Sequence, residues 1–344
     1  MSDTAQRQVP RGVATIELAV ADAPLAFEFI VLPNASMQAF SSAIEPLRVL
    51  NQLVGRPIVS WNVVNADGGP AQFSCGLQFL PDGQASAPPR DTILMVCSGV
   101  EPEKSVNPDI VALVRKAWRH GNTVGGICTG AYTLAEAGIL EGRAFTLHWE
   151  NTESFELSYP RLRSNRQLYA VDGKIMTCSG GTASTDMILS IIRDRFGALA
   201  ANVVMEMCLH TTMRSQTETQ RASLAYIYGV RNARFLRILE DLEDPETWEM
   251  SGDEFADRHA ISRRQMERLF KTYTGQSPQK YAKNLRLERA RIQLVQTNKT
   301  IVDIAYDCGF SSADNFSQNF KRRFHVSPLE YSKAFRHGPR GRKG

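Results

Sequence analysis

One cysteine stands in a sequence context that is typical of a nucleophile. The pentapeptide Gly126-Ile127-Cys128-Thr129-Gly130 has the pattern G-x-C-x-G and lies between a strand-like run and a helix-like run. This is the arrangement of a nucleophile elbow, a tight turn that presents its central side chain at the start of a helix. The helix dipole is expected to lower the pKa of a thiol in that position. Three alternatives follow for Cys128: amide or ester hydrolysis, a redox-sensing thiol, and a ligand pocket that keeps only the shape of an elbow.

The groups that would complete a catalytic centre are only partly present. His148-Trp149 ends another strand-like segment, and Ser179-Gly180-Gly181-Thr182 opens a helix with a glycine turn whose amides can hold an anion. The turn before the first helix, residues 34–38, carries no carboxylate, and Glu45 inside that helix is the only nearby candidate for an acidic partner. A thiol without an oriented base is a poor acyl-transfer catalyst. We therefore predict a ligand pocket with no catalytic residue, no metal and no cofactor. Its candidate ligand-binding residues are Cys128, Thr129, His148, Trp149, Gly180 and Gly181.

A second set of functional candidates lies in an internal repeat near the end of the chain. The segments SRRQMERLFKTYTGQSPQKY, from Ser262, and SADNFSQNFKRRFHVSPLEY, from Ser312, match at a constant offset of 50 residues. Each copy has the pattern of two short helices joined by a tight turn, with apolar residues on one face. In the first copy, Ser262 and Gln265 have the spacing of a capping box.

The outward positions of the repeat carry side chains of the types that bind DNA bases and phosphates. A helix fits the major groove, where arginine pairs with guanine and Asn or Gln pairs with adenine, while Lys and Arg further along bind phosphates. We predict that the helices at about 262–272 and 312–322 contact double-stranded DNA. The candidate residues are Ser262, Arg263, Arg264, Gln265, Arg268 and Lys271 in the first copy and Ser312, Asn315, Gln318, Lys321 and Arg322 in the second.

The elbow must be positioned by a larger body in which strand-like and helix-like runs alternate. Strands are predicted at 27–32, 92–97 and 123–127, with helices at 37–53 and 108–120 between them. Alternation of this kind favours a parallel α/β sheet, and the continuous apolar run at 92–97 favours a strand buried on both faces. The cysteines outside the elbow are interpreted as packing residues: Cys75, Cys97, Cys178, Cys208 and Cys308.

Composition and charge limit the class of protein. The chain has 344 residues, of which 43% are hydrophobic and 22% charged, which favours two folded domains over disorder. No apolar run approaches the roughly 18 residues of a membrane helix, no signal peptide is expected, and scattered cysteines favour the cytoplasm. Residues 248–344 carry 19 Lys and Arg against 10 Asp and Glu, so a basic end follows a mildly acidic body. That asymmetry is typical of a nucleic-acid-binding module attached to a sensor or an enzyme.

The quoted motifs identify two family resemblances. Residues from about 235 to 335, including ISRRQMERLFKTYTGQSPQKY, LRLERARIQL and IVDIAYDCGFSSADNFSQNFKRRFHVSPLEY, resemble the AraC/XylS transcription regulators. This resemblance implies that one chain inserts both helices into successive major grooves. The body resembles the class I glutamine amidotransferase-like superfamily, including intracellular-protease-like proteins. Enzymatic relatives often place histidine directly after the cysteine, where this chain has Thr129.

Together these features predict a cytoplasmic transcription regulator, more specifically an activator, with a flavodoxin-like three-layer α/β domain and an all-α domain. The expected partners are operator DNA, a small-molecule effector, RNA polymerase and a second copy of the chain, with no membrane contact. The resemblance implies an effector of the amino-acid or quaternary-amine class. The alternative is a cysteine-dependent hydrolase or a Cys128 redox switch coupled to DNA binding. The predicted segments are a flexible start (1–24), the sensor (25–210), a linker (211–232), the DNA-binding domain (233–336, with helix-turn-helix units at about 252–272 and 300–322) and a basic tail (337–344).

Overall fold

The computed structural model describes residues 9–10, 12–18, 24–220, 232–248, 250–297 and 299–336. The chain divides into two compact units, residues 1–220 and 221–344. Most of the expected flexible start (1–24), most of the second half of the expected linker (211–232) and the whole basic tail (337–344) lie outside the described residues. The proposed segment boundaries therefore stay predictions.

The first unit is built on a mostly parallel sheet. Its strands are β1 (Leu25–Val31), β2 (Val59–Asn65), β3 (Ala71–Gln72), β4 (Gln78–Phe79), β5 (Gly83–Gln84), β6 (Ile93–Cys97), β7 (Thr123–Ile127), β8 (Tyr169–Asp172) and β9 (Ile175–Cys178). Seven of them form one sheet in the order β5-β2-β1-β6-β7-β9-β8, and β3 and β4 form a separate antiparallel pair. Within the large sheet only β8 and β9 pair antiparallel. The predicted α/β class is confirmed.

Helices cover both faces of this sheet. They are α1 (Met37–Val54), α2 (Pro102–Ser105), α3 (Pro108–Arg119), α4 (Ala131–Glu136), α5 (Thr152–Ser158), α6 (Ala183–Phe196) and α7 (Ala198–Met207). Neighbouring residues of β1 point to opposite cores: Phe29 packs in a cluster with Leu47 of α1 and Met187 of α6, and Ile30 packs in a cluster with Val114 of α3. Every residue of β6 is buried, as expected of a strand covered on both sides. The arrangement is three-layered, as predicted.

One expected strand does not form. The segment that ends at His148 makes only an isolated bridge between Thr146 and Asn165. The Thr146 N–H donates to the Thr177 hydroxyl at 2.8 Å, so this amide bonds to a side chain rather than to a neighbouring strand. His148 instead precedes a short 3-10 helix, Trp149–Asn151.

The second unit is helical and contains both repeat copies. Its helices are α8 (Ala233–Glu243), α9 (Gly252–Arg258), α10 (Arg263–Thr274), α11 (Pro278–Gln296), α12 (Ile301–Asp307), α13 (Ala313–Phe324) and α14 (Pro328–Arg336). The pairs α9–α10 and α12–α13 are the two helix-turn-helix units, and α11 joins them. The long helix α11 contributes Tyr281 to the apolar core of the first helix-turn-helix unit and Leu294 to the core of the second. It therefore holds these two helix-turn-helix units together. None of the described helices is long and apolar enough to cross a membrane.

The repeat is preserved in three dimensions with one register shift. Met266 and Phe316 are buried at the same place in the two copies, as are Phe270 and Phe320, at an offset of 50 residues. In the first helix of each pair, before the turn, the offset between the copies is 49 residues, since the capping boxes begin at Ser251 and Thr300. Gly309, with a φ of +71°, still matches Ala260, with a φ of +52°, at this offset, so the additional residue of the second copy lies after Phe310.

Candidate functional site

The first candidate site surrounds Cys128, on the turn between β7 and α4. Cys128 has a φ of +61°, a left-handed conformation that is strained for a residue with a side chain, as expected at a nucleophile elbow. Gly130 is required here because a Cβ at this position would lie 2.2 Å from the Val96 carbonyl oxygen. The motif therefore makes the elbow turn that the sequence predicts.

The ionisation of Cys128 is opposite to the sequence-based expectation. The side chain is only 7% exposed, and burial raises the pKa of the thiol to about 12, with a smaller contribution from Cys178. The expectation that the helix dipole lowers the pKa of Cys128 was wrong. The helix α4 is short, and its effect on the thiolate is smaller than the cost of removing water from the whole sulfur atom. Cys128 is therefore a neutral thiol near pH 7.

His148 lies beside the elbow, and its hydrogen bond to Cys128 there is made by its backbone. Its backbone N–H donates to the Cys128 carbonyl oxygen at 3.2 Å, and burial lowers the pKa of its half-buried imidazole. The carboxylate that acts electrostatically on both groups is the exposed Glu150, which the sequence analysis missed although it follows Trp149 directly. Glu45 is paired with Arg48 at 2.7 Å on the surface of α1.

The glycine turn predicted from the sequence touches the elbow. A Cβ on Gly180 would lie 2.8 Å from the Cβ of Cys128, so only glycine allows this approach. Gly181 has a φ of +55° and the following Thr182 is right-handed, an alternation that forms a concave group of backbone N–H donors. Trp149, which follows His148 directly in the sequence, is 45% exposed. The centres of the two rings lie 5.6 Å apart. Thr129, in contrast, is buried and donates its hydroxyl to the Gly99 carbonyl oxygen at 2.7 Å, so its side chain holds a loop.

A buried carboxylate next to the glycine turn was missed by the sequence analysis. Asp186 on α6 is fully buried and binds Arg214, whose Nη2 and Nε lie 2.6 and 3.0 Å from its Oδ2. The Arg214 backbone N–H and the His210 ring nitrogen lie 2.8 and 2.9 Å from the other oxygen. Arg214 also donates to the hydroxyl of Thr182 at 2.7 Å. No sequence spacing indicates this contact, because 28 residues separate the partners.

The end of the first unit is anchored beside His148. The side-chain oxygen of Gln220 accepts from the Trp149 N–H at 2.7 Å, and its amide nitrogen donates to the carbonyl oxygens of Leu147 and Gln167 at 2.8 and 3.0 Å. Thr219 forms an isolated antiparallel bridge with Gln167. The part of the expected linker that the structure describes is therefore bound to the sensor, through Arg214 at one end and Gln220 at the other.

The remaining cysteines differ in exposure. Cys97, Cys178 and Cys308 are buried, as interpreted from the sequence, but Cys75 is exposed and Cys208 is intermediate. The interpretation of Cys75 as a packing residue was wrong, because its sulfur lies on the surface, 3.8 Å from the Met37 sulfur. Within the part of the chain that the structure describes, no group of three or more His, Cys, Asp or Glu side chains is arranged to hold a metal ion.

We expect Cys128 to react slowly with an aromatic disulfide reagent at neutral pH, because only the thiolate is nucleophilic. With a pKa of about 12, about one molecule in 10⁵ carries the thiolate at pH 7. Cys75→Ser should remove the fast phase. Cys128→Ser should then remove the slow phase. In the presence of Cys128, the rate of that phase should rise about tenfold per pH unit, without a plateau below pH 10. A plateau near pH 8 would contradict the assigned ionisation.

The second candidate site is the outward surface of the two repeat copies. The following candidates are exposed: Ser262, Arg263, Arg264, Gln265, Arg268, Lys271, Asn315, Gln318, Lys321 and Arg322. Ser312 is half-buried, and its hydroxyl accepts from the Asn315 backbone N–H as the cap of α13. All the candidates except the two caps, Ser262 and Ser312, lie on α10 or α13, opposite the buried phenylalanines.

Local contacts distinguish these candidates from one another. The Gln265 side-chain oxygen accepts from the Ser262 N–H at 2.9 Å, so the capping box predicted from the sequence already uses one end of this amide. Arg263 lies 3.6 Å from Asp253 and 3.5 Å from Glu267. Arg264 and Arg268 have no acidic partner within salt-bridge distance among the described residues. Arg264 is thus the arginine near the start of α10 that is most available to a base.

Comparisons with known proteins agree with both parts of this description. The chain matches the DJ-1/PfpI family over residues 39–194 and a helix-turn-helix domain family over residues 255–334. It is 38% identical over 304 residues to the HTH-type transcriptional regulator CdhR of Pseudomonas aeruginosa, covering 88% of this chain and 90% of that protein. It is 34% identical over 307 residues to the HTH-type transcriptional regulator GbdR of the same species, covering 89% and 84%. An AraC family transcriptional regulator from Pseudomonas putida covers 54% of this chain and 100% of its own, with 23% identity and a TM-score of 0.49.

Proposed function

Because the chain belongs to the HTH-type transcriptional regulators and joins a DJ-1/PfpI domain to an AraC-type helix-turn-helix domain, we propose that it activates transcription in response to a small metabolite bound beside Cys128. The observation that carries the proposal is the neutral, buried thiol at the elbow. A site that keeps the elbow turn but suppresses its nucleophile is suited to binding rather than to turnover.

The chemistry of the elbow supports a sensor rather than a hydrolase. Acyl transfer needs a thiolate, a base and a group that orients the base. Cys128 is neutral, the pKa of His148 is lowered, and the nearby Glu150 is exposed to solvent. The similar full-length proteins are likewise named as regulators.

The effector that fits this site carries a carboxylate and a cationic group. A carboxylate would accept from the N–H groups of the Gly180-Gly181 turn, next to Cys128. A quaternary or primary ammonium would face the exposed ring of Trp149, beside the neutral ring of His148, since aromatic faces attract cations. Amino acids and quaternary amines such as betaines have both groups. Thr129 contributes through the loop that its hydroxyl holds.

Residues 210–220 would transmit the binding event. They contact the glycine turn through Arg214 and Thr182, and they contact the Trp149 backbone through Gln220. Both contacts are made to segments that would touch the effector, and Gln220 is the last residue of the first unit. An effector that repositions either segment changes the free energy with which residues 210–220 bind to the sensor. An effector with different affinities for the bound and released states of these residues shifts the equilibrium between them.

We further propose that the protein acts in the cytoplasm as a homodimer that contacts RNA polymerase. Each chain has two DNA-reading helices, so a dimer would present four to a tandem operator. Linked binding of this kind raises overall affinity through effective concentration. The family resemblance supports activation as the mode of regulation.

A thermal-shift screen of the full chain tests the effector assignment. The probes are the proteinogenic amino acids, glycine betaine and carnitine, with matched amines that lack a carboxylate as controls. A ligand that binds only the folded state raises the Tm, and the stabilisation grows with the logarithm of the ligand concentration once that concentration exceeds the Kd. We expect a carboxylate-bearing amine to raise the Tm and to lose this effect when Gly181 is replaced by alanine. Stabilisation by the decarboxylated controls alone would contradict the proposed ligand class.

Cys128→Ser should retain DNA binding and most effector-dependent transcription. The substitution replaces a buried neutral thiol by a hydroxyl of similar shape, so any loss should follow the fit of the effector. The measurement is a transcription reporter, with amide and ester hydrolysis by purified protein assayed in parallel. Turnover that disappears together with the reporter signal would favour the hydrolase. A wild-type reporter that falls silent only under oxidant, while the variant is unaffected, would favour the redox switch.

A further inference from the structure

A cleft of about 600 Å³ opens in the second unit between the two helix-turn-helix pairs. Its walls come from the start of α10, the first half of α11 and the turn that precedes α13. Arg263 of the first DNA-reading helix and Asn315 of the second both line it. The cleft therefore adjoins the base-reading ends of both helices.

Four cationic side chains line this cleft together with apolar ones. Arg263, Lys280, Lys283 and Arg286 line it. Among the lining residues that the structure describes, which exclude position 249, Glu267 is the only acidic one, and it is already paired with Arg263 at 3.5 Å. Lys280 is exposed and Lys283 half-buried. Neither lysine has an acidic partner within salt-bridge distance among the described residues. Three positive charges thus share one cavity without a counter-ion from those residues.

Arg286 is the least satisfied of these cations. Its Nη1 donates to the Gly309 carbonyl oxygen at 3.1 Å, while its buried Nε has no acceptor among the described residues. The guanidinium lies 5.7 Å from the Trp248 ring centre, and Arg289 approaches the same ring at 5.1 Å. Burial lowers the pKa of Arg286. A partly dehydrated guanidinium with an unpaired donor favours an incoming anion.

The position of the cleft indicates which anion it meets. When two helices on one chain enter successive major grooves on one face of the duplex, the stretch between them presents the two phosphodiester backbones that border the minor groove. The cleft lies between the N-terminal ends of those helices, so it faces this stretch. We infer that it binds a backbone phosphate of the bound DNA, with Lys280, Lys283 and Arg286 as contacts. The inference rests on the proposed mode of DNA binding and adds three residues of α11 to the interface.

The salt dependence of DNA binding tests this inference directly. The experiment uses the full chain and a fluorescent duplex of mixed sequence, because phosphate contacts operate on any sequence. Each lost contact should reduce the slope of log affinity against log salt by about one. Lys280→Gln and Lys283→Gln should each show this reduction, which corresponds to about a 3.5-fold smaller loss of affinity over a fourfold rise in salt.

Controls separate a lost contact from a damaged fold. Lys333→Gln removes an exposed lysine of α14 that does not line the cleft, and it should leave the slope unchanged. Arg286→Gln should reduce the slope and Arg286→Lys should retain most of it, with thermal melting recorded for both. The two lysine variants change the tips of side chains at the cleft rather than core packing, so they keep the test independent of folding.

The outcomes are distinguishable. A wild-type chain that does not bind the duplex even at low salt would contradict the mode of DNA binding on which the inference rests. Normal salt dependence that Lys280→Gln and Lys283→Gln both retain would overturn the cleft assignment alone. Inorganic phosphate, added at constant ionic strength, should compete equally weakly against the wild type and both variants. Selective competition against the wild type would instead identify a site for free phosphate and overturn the assignment to the DNA backbone.

Discussion

Arg264→Ala should weaken binding to the cognate operator by about 1–3 kcal/mol, or about 5- to 150-fold, and relax the base preference at a single position. Arg264 lies in the first turn of α10, is exposed and has no acidic partner within salt-bridge distance among the described residues. Arg263 is less available because Asp253 and Glu267 both lie within salt-bridge distance of it. The operator for this measurement is obtained by selecting duplexes from a random pool with the wild-type chain, and affinities are then compared by gel shift.

Lys321→Ala provides the matched comparison on the second DNA-reading helix. Lys321 lies in the last turn of α13, where a side chain reaches phosphate rather than a base edge. Its loss should weaken all sequences alike and reduce the salt slope by about one. Should Arg264→Ala lower affinity uniformly and leave the base preference intact, Arg264 would be a phosphate contact and the proposed reading register would be wrong.

Arg214→Ala should reduce the free energy of unfolding of the sensor unit by about 3 kcal/mol. Asp186 is fully buried, and removing its guanidinium partner leaves a carboxylate with too few donors in a place that water does not reach. Arg214 itself is 30% exposed, so the loss should fall at the lower end of values for buried pairs. Urea unfolding followed by circular dichroism measures the change.

Arg48→Ala is the control for this experiment, since its partner Glu45 is exposed on α1 and such surface pairs contribute at most about 1 kcal/mol. The double variant Asp186→Asn, Arg214→Gln should recover part of the loss, because neither charge then remains buried alone. An Arg214→Ala variant as stable as Arg48→Ala would mean that residues 210–220 are not held by this pair. The structural basis for coupling through them would then fail.

The sequence alone determined those features that depend on neighbouring residues. The capping boxes at Ser262 and Thr300, the proline that starts α11 and the left-handed Gly275 and Gly309 all follow local rules of hydrogen bonding and backbone sterics. Hydrophobic periodicity placed β6, β7 and α3 to within a few residues, and the repeat identified both DNA-reading helices. The elbow motif likewise defined the turn at Cys128, because close packing against Val96 requires glycine at Gly130.

The tertiary structure decided the properties that depend on what surrounds a group. The pKa of Cys128 rises because the whole fold removes water from its sulfur, and that cost exceeds any effect of the short helix that follows. The Asp186–Arg214 pair and the Gln220 contacts join residues 28 to 74 positions apart, so no local spacing could indicate them. The cationic cleft arises in the same way, since it forms only when α10, α11 and the turn before α13 pack around Arg286. Burial and long-range contact are set by the packing of distant segments, and these determine both the chemistry of the sensor site and the charge of the DNA-facing cleft.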